Sequence, residues 1–420
     1  MPLSLRIFAA LVAGLLVGAV LAALHSPAVA PVAAVAQTVG GLWLDGLRMT
    51  IVPLVFSLVT TSVASTTGAA AGGRLAARTL ALFAVLLLAA SALGALTVLG
   101  ILQIAPVPRQ AAEALRAGLG QHPVIPPLPP VGEWLRSFVP TNPVASAASG
   151  AIVPLVTFAF VLGVAITRIG AEAGTKILGV LSALTDAMLV IVQWVLAIAP
   201  IGVFALAIQV GLTAGLGAGG ALVHYVLTMS SACILATLLI YPLVVLAGRV
   251  SLGRFARAAM PVQVLAISTQ SSLACLPALV EQAQGPLEVP ERVSNLVLPL
   301  AVSIFRIATA VANVGVATYL AVLFGAPLPP LTLVSGIVVA AVVSIATAGV
   351  PSTAFFIATI APVCLVLGAP IEALPLLLAV EFIPDIFRTI GNVTADLATA
   401  TIAKRWDDRE TARSPADIVT

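Results

Sequence analysis

The stretch that decides the fold is Glu381-Phe382-Ile383-Pro384-Asp385-Ile386-Phe387-Arg388-Thr389-Ile390-Gly391-Asn392-Val393-Thr394-Ala395-Asp396, near the C-terminal end of a very apolar chain. Its charged and amide side chains, at positions 381, 385, 388, 392 and 396, are spaced by 4, 3, 4 and 4 residues. At about 100° per residue, this spacing places them with Thr389 in one stripe about 100° wide. The stretch therefore predicts a helix with one polar face and an otherwise apolar surface.

The composition around this helix indicates a membrane protein. Of the 420 residues, 60% are hydrophobic and only 8% are charged, and the mean hydropathy is +1.17. A soluble domain carries about 25% charged residues, which it needs to cover its surface in water. A chain with so few charges suits lipid as its solvent, so we predict an all-α polytopic membrane protein.

The remaining composition excludes several classes of function. The net charge of +3 is dispersed, and no basic stripe with interleaved aromatic residues indicates nucleic-acid binding. The three cysteines each stand alone in apolar stretches, which favours buried thiols over a disulfide framework or a metal site. The three histidines lack a serine or acid at a motif spacing, so we do not expect an enzyme, and we expect no cofactor beyond a coupling ion.

Eight apolar stretches are long enough to span a bilayer. We predict that the first is a retained helix, because it is longer than the usual hydrophobic region of a signal peptide. The stretches lie near 6–24, 42–64, 78–104, 150–168, 180–210, 222–247, 294–322 and 372–403.

Two more apolar segments, 255–289 and 331–368, are interrupted midway by small, polar and proline residues. Each half is too short to cross, so each segment predicts a re-entrant helical hairpin. A hairpin followed by a spanning helix occurs twice, and paired interruptions of this kind are typical of transporter binding sites. The expected architecture is eight transmembrane helices plus two re-entrant hairpins.

The positive residues of the predicted loops indicate the orientation. Thirteen lysines and arginines fall on one side, and three arginines fall on the other, all within the Pro-rich segment 105–140. Since cytoplasmic loops are enriched in positive charge, we predict a multi-pass protein of the cell inner (plasma) membrane with both termini cytoplasmic.

Ionised side chains inside a membrane indicate a functional site, because each costs at least about 2.5–3.5 kcal/mol. The polar stripe has three acids and one base, and this negative surplus suits a cation or an ammonium group. Arg388 can bind a carboxylate in bidentate fashion. We therefore favour a site for a small anionic substrate over a self-neutralised seam that only holds helices together.

Several motifs, in this order, resemble the dicarboxylate/amino acid:cation symporters, the glutamate transporter family. Besides the stripe itself, they are MTIVPLVFSL at 49–58, PTNP at 140–143, APIGVF at 199–204 and TAGVP at 347–351. The resemblance covers nearly the whole chain and implies a glutamate-transporter-like fold assembled as a homotrimer, with no nucleic-acid partner.

The resemblance also implies a scaffold and a moving transport domain. Scaffold helices 1–2 would occupy residues 1–75 and scaffold helices 4–5 residues 141–215. Transport-domain helix 3 would occupy 76–104, and residues 216–404 would complete that domain with helix 6, hairpin 1, helix 7, hairpin 2 and helix 8. The extracytoplasmic Pro-rich loop would be 105–140 and the cytoplasmic tail 405–420.

Roles in substrate binding follow from the same resemblance. Asp385 would hold the substrate's amino group, Arg388 its side-chain carboxylate and Asn392 its α-carboxylate, with Thr389 nearby. The second hairpin would act as a gate. Further substrate contacts would come from both hairpin tips and the seventh helix, namely Ser271, Ser272, Thr309, Thr347, Ala348, Gly349, Val350 and Pro351. Asp385 and Thr389 together favour an acidic amino acid. The alternatives are a C4-dicarboxylate:cation symporter and a channel-like or sensor-like relative without coupled transport.

One departure from the family concerns its coupling ion. Where the seventh helix of the family has Asn-Met-Asp-Gly-Thr, this chain has FRIAT at 305–309, and the corresponding third-helix positions around Leu86 and Leu87 are apolar. Sodium needs several oxygen ligands, which Phe, Ile and Leu do not supply. We therefore expect altered or reduced sodium coupling.

Sodium and the proton both remain candidates for the coupling ion. Arg306 is a possible substitute for a bound cation, balancing Asp396 or Glu381, and Glu381 is the candidate for proton coupling. Asn392 and Asp396 remain possible sodium ligands by resemblance. Alternatively, Arg306 is a structural counter-ion and a sodium site elsewhere is intact. The sequence leaves both interpretations open.

Overall fold

The computed structural model describes residues 3–24, 29–70, 74–119, 132–133, 136, 138–214, 218–345 and 352–413. Within these ranges the regular elements are helices and no strand occurs, which confirms the all-α prediction. The predicted contacts Thr347, Ala348, Gly349, Val350 and Pro351 lie outside the described residues.

The N-terminal half contains long apolar helices and two short ones. They are α1 (Leu3–Ala23), α2 (Val29–Ala70), α3 (Arg74–Ile104), α4 (Arg109–Leu119), α5 (Pro143–Ala148), α6 (Ile152–Ile166), α7 (Ala171–Ala197) and α8 (Ala199–Ala214).

The C-terminal half is more interrupted. Its helices are α9 (Ala218–Leu243), α10 (Leu252–Thr269), α11 (Leu276–Gln284), α12 (Glu291–Ile304), α13 (Ile307–Leu323), α14 (Pro330–Ile345), α15 (Ser352–Leu367), α16 (Leu374–Leu378) and α17 (Phe382–Arg413). A π-helical turn, Val244–Gly248, extends α9, and a 3-10 turn, Ile371–Ala373, precedes α16.

Six helices of the described part are long and apolar enough to cross a membrane, as expected for a polytopic membrane protein. The last predicted crossing is helical but is not among them, because its charged stripe lowers its hydropathy. The six are Leu5–Ala23, Val29–Ser65, Arg74–Ile104, Ala171–Ala197, Gly219–Gly248 and Glu291–Leu323.

Helices α1, α2, α6, α7 and α8 pack mainly on one another, and we call them the α2 bundle. Small residues bring α1 and α8 into backbone contact. A Cβ atom on Gly18 would lie 2.3 Å from the carbonyl oxygen of Ile208, and one on Gly14 would lie 2.5 Å from that of Phe204. Such close approach is how apolar helices associate in lipid, where water does not drive them together.

Helices α3 and α9–α17 form a second group, the α13 bundle. Helix α13 lies at its centre, because almost all of its residues are buried and it packs against α3, α9, α15 and α17. A Cβ on Gly94 of α3 would lie 2.6 Å from the carbonyl oxygen of Val311. The free thiols of Cys233, Cys275 and Cys364 are buried in this bundle, as predicted.

Two helix pairs of this bundle coincide with the interrupted segments of the sequence. Helices α10 and α11, which we call hairpin 1, are separated by residues 270–275, and α10 ends at Gln270 in a left-handed conformation with φ 48°. Helices α14 and α15, hairpin 2, pack against each other. Breaks also separate α12 from α13, at Phe305 and Arg306, and α16 from α17.

Candidate functional site

Helix α17 is buried along most of its length, on its polar face and on most of its apolar face. Glu381, Asp385 and Arg388 are 1%, 3% and 2% exposed, whereas Ile383 on the other face is 36% exposed. Glu381 lies in the turn before the helix. The Asp385 N–H donates to the Glu381 carbonyl at 3.0 Å, so Glu381 keeps the helical spacing relative to Asp385 and Arg388. The structure thus brings the polar stripe together inside the protein; its other members, Thr389, Asn392 and Asp396, are buried too.

Arg388 is held by two carboxylates of its own segment. Its Nη2 forms an ion pair with Oε1 of Glu381, and its Nη1 lies 3.6 Å from Oδ1 of Asp385. A substrate carboxylate can reach this guanidinium only by competing with these two side chains. Burial strengthens ion pairs, so displacing Glu381 and Asp385 from Arg388 takes up a large part of the free energy of substrate binding.

Tyr225 of α9 is a further neighbour of Glu381, and no sequence pattern predicts this contact. Its hydroxyl donates to Oε2 of Glu381 at 2.5 Å, and its ring is fully buried. The only signal in the sequence is a tyrosine inside an apolar helix, whose hydroxyl needs a partner when buried. That signal does not name the partner.

Asn392 joins α17 to the first turn of α13. Its Oδ1 accepts a hydrogen bond from the Ala308 N–H at 2.9 Å, and its Nδ2 donates to Oγ1 of Thr309 at 3.2 Å. The first N–H groups of a helix have no partner inside the helix, so Asn392 caps α13 from a neighbouring helix. Thr309 therefore lies beside the stripe, as expected, while both amide atoms of Asn392 are bound by protein.

Arg306 lies in the break before α13 and is 6% exposed. Its guanidinium is within electrostatic reach of Asp385 and Asp396. Both carboxylate oxygens of Asp396 are buried and accept no hydrogen bond from the described residues. A buried carboxylate in this situation needs a positive charge nearby, and Arg306 supplies one.

The break of hairpin 1 reaches the beginning of α17. Nε2 of Gln270 donates to the Phe382 carbonyl at 3.3 Å. Ser272 is 3% exposed and its Oγ has no hydrogen-bond partner among the described residues, whereas Oγ of Ser271 accepts from the Ala274 N–H at 3.3 Å. The break of hairpin 1 thus contains a buried hydroxyl without a partner, two residues after the glutamine that contacts Phe382.

The charges of this cluster do not cancel. Three carboxylates (Glu381, Asp385 and Asp396) and two guanidiniums (Arg306 and Arg388) leave a formal charge of −1 when all are ionised. An anion entering this cluster would therefore need to bring a proton or another cation with it. Because these side chains are almost completely buried, entry also requires surrounding elements to separate.

The chain is similar to known proteins over nearly its whole length. The profile of the sodium:dicarboxylate symporter family matches residues 3–406. The proton/sodium-glutamate symport protein of Geobacillus stearothermophilus is 26% identical over 420 residues, covering 96% of this chain and 94% of that protein.

Two other relatives are named for different amino-acid substrates. The proton/glutamate-aspartate symporter of Escherichia coli (strain K12) is 25% identical, covering 88% of this chain and 85% of its own. The neutral amino acid transporter B(0) of Oryctolagus cuniculus is 29% identical, covering 91% and 75%.

Proposed function

Because this chain belongs to the sodium:dicarboxylate symporter family, we propose that it is a secondary active transporter of acidic amino acids such as glutamate and aspartate. The observation that carries the proposal is the pairing of Arg388 with Asp385 on the buried face of α17. A guanidinium and a carboxylate in neighbouring positions suit the side-chain carboxylate and the ammonium group of one substrate molecule.

In this proposal the substrate replaces contacts that the protein now makes to itself. Its side-chain carboxylate takes the place of Glu381 on Arg388, and its amino group binds Asp385. Thr389 and Asn392 lie along the same face, and Thr309 lies next to Asn392. By resemblance to the family, residues 347–351 would also contact the substrate; they lie outside the described residues.

The proposed architecture has eight crossings and two re-entrant hairpins in the inner membrane, with both termini cytoplasmic. The α2 bundle would be the scaffold of a homotrimer, and the α13 bundle the transport domain. The preference of each group for packing within itself supports this division. Breaks in the helices beside buried charges are expected where backbone lines a binding site.

We further propose that Arg306 substitutes for a coupling cation, so that transport depends little on sodium. Phe305 and Ile307, on either side of it, offer no side-chain oxygen, and Asn392 already bonds to Ala308 and Thr309. With Glu381 protonated, the charge of the cluster is zero, and the carboxyl group no longer competes for Arg388. The alternative, a structural Arg306 with sodium bound elsewhere, predicts steep and saturable sodium dependence.

The decisive experiment is uptake into proteoliposomes under an imposed sodium gradient, an imposed proton gradient, or neither. We expect accumulation of glutamate or aspartate that follows the proton gradient and persists in choline. Counterflow driven by internal unlabelled substrate distinguishes a carrier from a channel or a sensor. No counterflow with any acidic amino acid would overturn the proposal.

Variants of the polar stripe identify the substrate class. Arg388→Gln should weaken acidic amino-acid binding by at least about 30-fold, because a bidentate charged contact contributes about 2–3 kcal/mol. Asp385→Asn should weaken amino-acid binding but spare succinate. If wild-type protein prefers succinate, or a neutral amino acid, the acidic amino-acid assignment is wrong. Arg257→Gln, on the exposed face of α10, serves as the control.

A further inference from the structure

Arg48 is a charged residue in the apolar helix α2, and it does not belong to the polar stripe of α17. It lies on α2 within the stretch Val29–Ser65, which is long and apolar enough to cross a membrane. An ionised residue in such a stretch is costly unless it has partners, and it marks a functional position by default. Arg48 has two partners. Its Nη1 lies 3.4 Å from Oδ1 of Asp45 on the same helix, and its Nη2 forms an ion pair with Oε1 of Glu372.

Glu372 belongs to the other bundle. It lies in the 3-10 turn Ile371–Ala373 between hairpin 2 and α16, 324 residues away in the chain. The ion pair therefore connects the α2 bundle with the α13 bundle. It is a polar contact at a junction that also has apolar contacts, such as the edge-to-face pair of Phe8 and Phe382 at 5.9 Å.

The surroundings of this pair show which side of the α13 bundle faces α2. Both helices of hairpin 2 pack on α2, and α15 also touches α6 and α7. The principal contacts of hairpin 1 are instead with α9, α12 and α17, inside its own bundle. The α13 bundle thus contacts the α2 bundle through hairpin 2 and Glu372, and we call this arrangement docked.

We propose that the Arg48–Glu372 ion pair is a latch that stabilises docking through hairpin 2 over any other position of the α13 bundle. The inference rests on the proposed function, since a carrier must expose its site to each side in turn. The two side chains are 38% and 39% exposed, so neither bundle encloses the pair, and it can separate without unpacking their cores. Asp45 lies on the same helix as Arg48, so the contact between these two residues is the same whether the Arg48–Glu372 pair is open or closed.

A partly exposed ion pair has a modest effect, which suits a reversible latch. We expect its removal to change the ratio of docked to undocked protein by about 2- to 5-fold. Substrate affinity within the α13 bundle should stay the same, because neither residue contacts the polar stripe. The transport rate should change, since it depends on the exchange between positions.

The test uses spin labels on cysteines introduced at Leu42 of α2 and Leu273 of hairpin 1, which are 68% and 49% exposed. The native thiols are buried. Pulsed electron–electron resonance on labelled protein diluted with unlabelled protein gives the distance distribution between the bundles. Glu372→Gln should lower the ratio of the docked to the undocked distance 2- to 5-fold, and the exchange Arg48→Glu with Glu372→Arg should restore it.

Asp45→Asn is the matched control, because it removes the pair within α2 and leaves the contact between bundles. It should leave the distance distribution as in the wild type. An unchanged distribution in Glu372→Gln, or an equal change in Asp45→Asn, overturns the latch. Calorimetric titration of aspartate into the same variants tests the proposed function separately, because a failed latch leaves aspartate binding intact.

Discussion

The ring of Phe83 on α3 stacks on the ring of Phe305, with centroids 4.4 Å apart and planes inclined by 14°. Both side chains are buried, and Phe305 directly precedes Arg306 in the break before α13. Two aromatic rings therefore fill the space beside the buried charges, and neither provides an oxygen to a metal ion. Arg306, next to Phe305, brings a positive charge into this region.

Replacing Arg306 should create a requirement for a cation. In Arg306→Met, Asp396 loses its nearby guanidinium, and an uncompensated buried charge costs about 3–5 kcal/mol. We expect a lower melting temperature in choline buffer, with partial recovery in sodium or at lower pH. Thermal unfolding of the purified protein across these conditions measures the effect.

Arg306→Lys is the control for this prediction, because it keeps the charge while changing the shape of the side chain. It should respond to sodium as the wild type does. A melting temperature of Arg306→Met that is equal in sodium and in choline at every pH would contradict the role of Arg306 as a substitute cation.

Removing the charge of Glu381 should strengthen the binding of acidic substrates. Glu381→Gln releases Arg388 from its ion pair and changes the formal charge of the cluster from −1 to zero. We expect about 10-fold tighter aspartate binding at pH 7, or about 1.4 kcal/mol, and a flatter dependence of the dissociation constant on pH. Calorimetric titration between pH 5 and 8 measures both.

Glu281→Gln, on an exposed position of α11, should leave aspartate binding unchanged. Weaker binding in Glu381→Gln would mean that Glu381 orients Arg388 for the substrate rather than competing with it.

A single methyl group should disturb the contact between α17 and α13. A Cβ on Gly391 would lie 2.7 Å from Cβ of Ala308 and 2.8 Å from Oγ1 of Thr237. Gly391→Ala should therefore push the helices apart, lengthen the Asn392–Ala308 hydrogen bond and destabilise the protein by about 1–3 kcal/mol. Substrate binding should weaken with it.

Gly100→Ala provides the comparison, since a Cβ there meets no atom within 4 Å. Alanine favours a helix over glycine by about 0.5–1 kcal/mol, so this variant should be neutral or slightly more stable. Equal melting temperatures for Gly391→Ala and Gly100→Ala would show that the close packing at Gly391 is not needed.

The turn after hairpin 1 should respond to acid. Arg254 donates to Glu288 at 2.8 Å, and this hydrogen bond, with the charge of Arg254, holds the pKa of the Glu288 carboxyl below its ordinary value of 4.5. A lowered pKa means that the pair stabilises the fold above pH 4.5 and that its contribution is lost as the pH falls through the lowered value.

The difference in melting temperature between wild type and Glu288→Gln should thus be small at pH 7 and vanish in acid. Its size is limited by solvent screening, because the Glu288 side chain is 69% exposed. A difference that grows as the pH falls would show that the carboxylate is not the stabilising form.

The stripe on α17 could be predicted from spacing alone, because a helix of 3.6 residues per turn fixes which side chains share a face. Asp385, Arg388 and Asn392 are buried together as the sequence indicated. The interruption of hairpin 1 was equally visible, since small and polar residues inside an apolar segment disfavour a continuous spanning helix. These features depend only on neighbours in the chain.

Contacts between distant parts of the chain were not predictable in this way. Tyr225 and Glu381 are 156 residues apart, and Arg48 and Glu372 are 324 residues apart. No local pattern states which apolar helices become neighbours, because many packings bury similar amounts of apolar surface. Arg48 is visible in the sequence as a charge in an apolar stretch. Its partner Glu372 lies in another bundle, so no local pattern identifies the pair.

The sequence by itself determined the solvent, the helical class and the presence of one polar face in an apolar helix, because these follow from composition and from the period of the helix. The tertiary structure decided how the charges are used. It paired Arg388 with Glu381, set Arg306 within reach of Asp396 and placed phenylalanine rings beside them. Electrostatic balance in a buried site depends on distances in space, and only the packed helices define those distances.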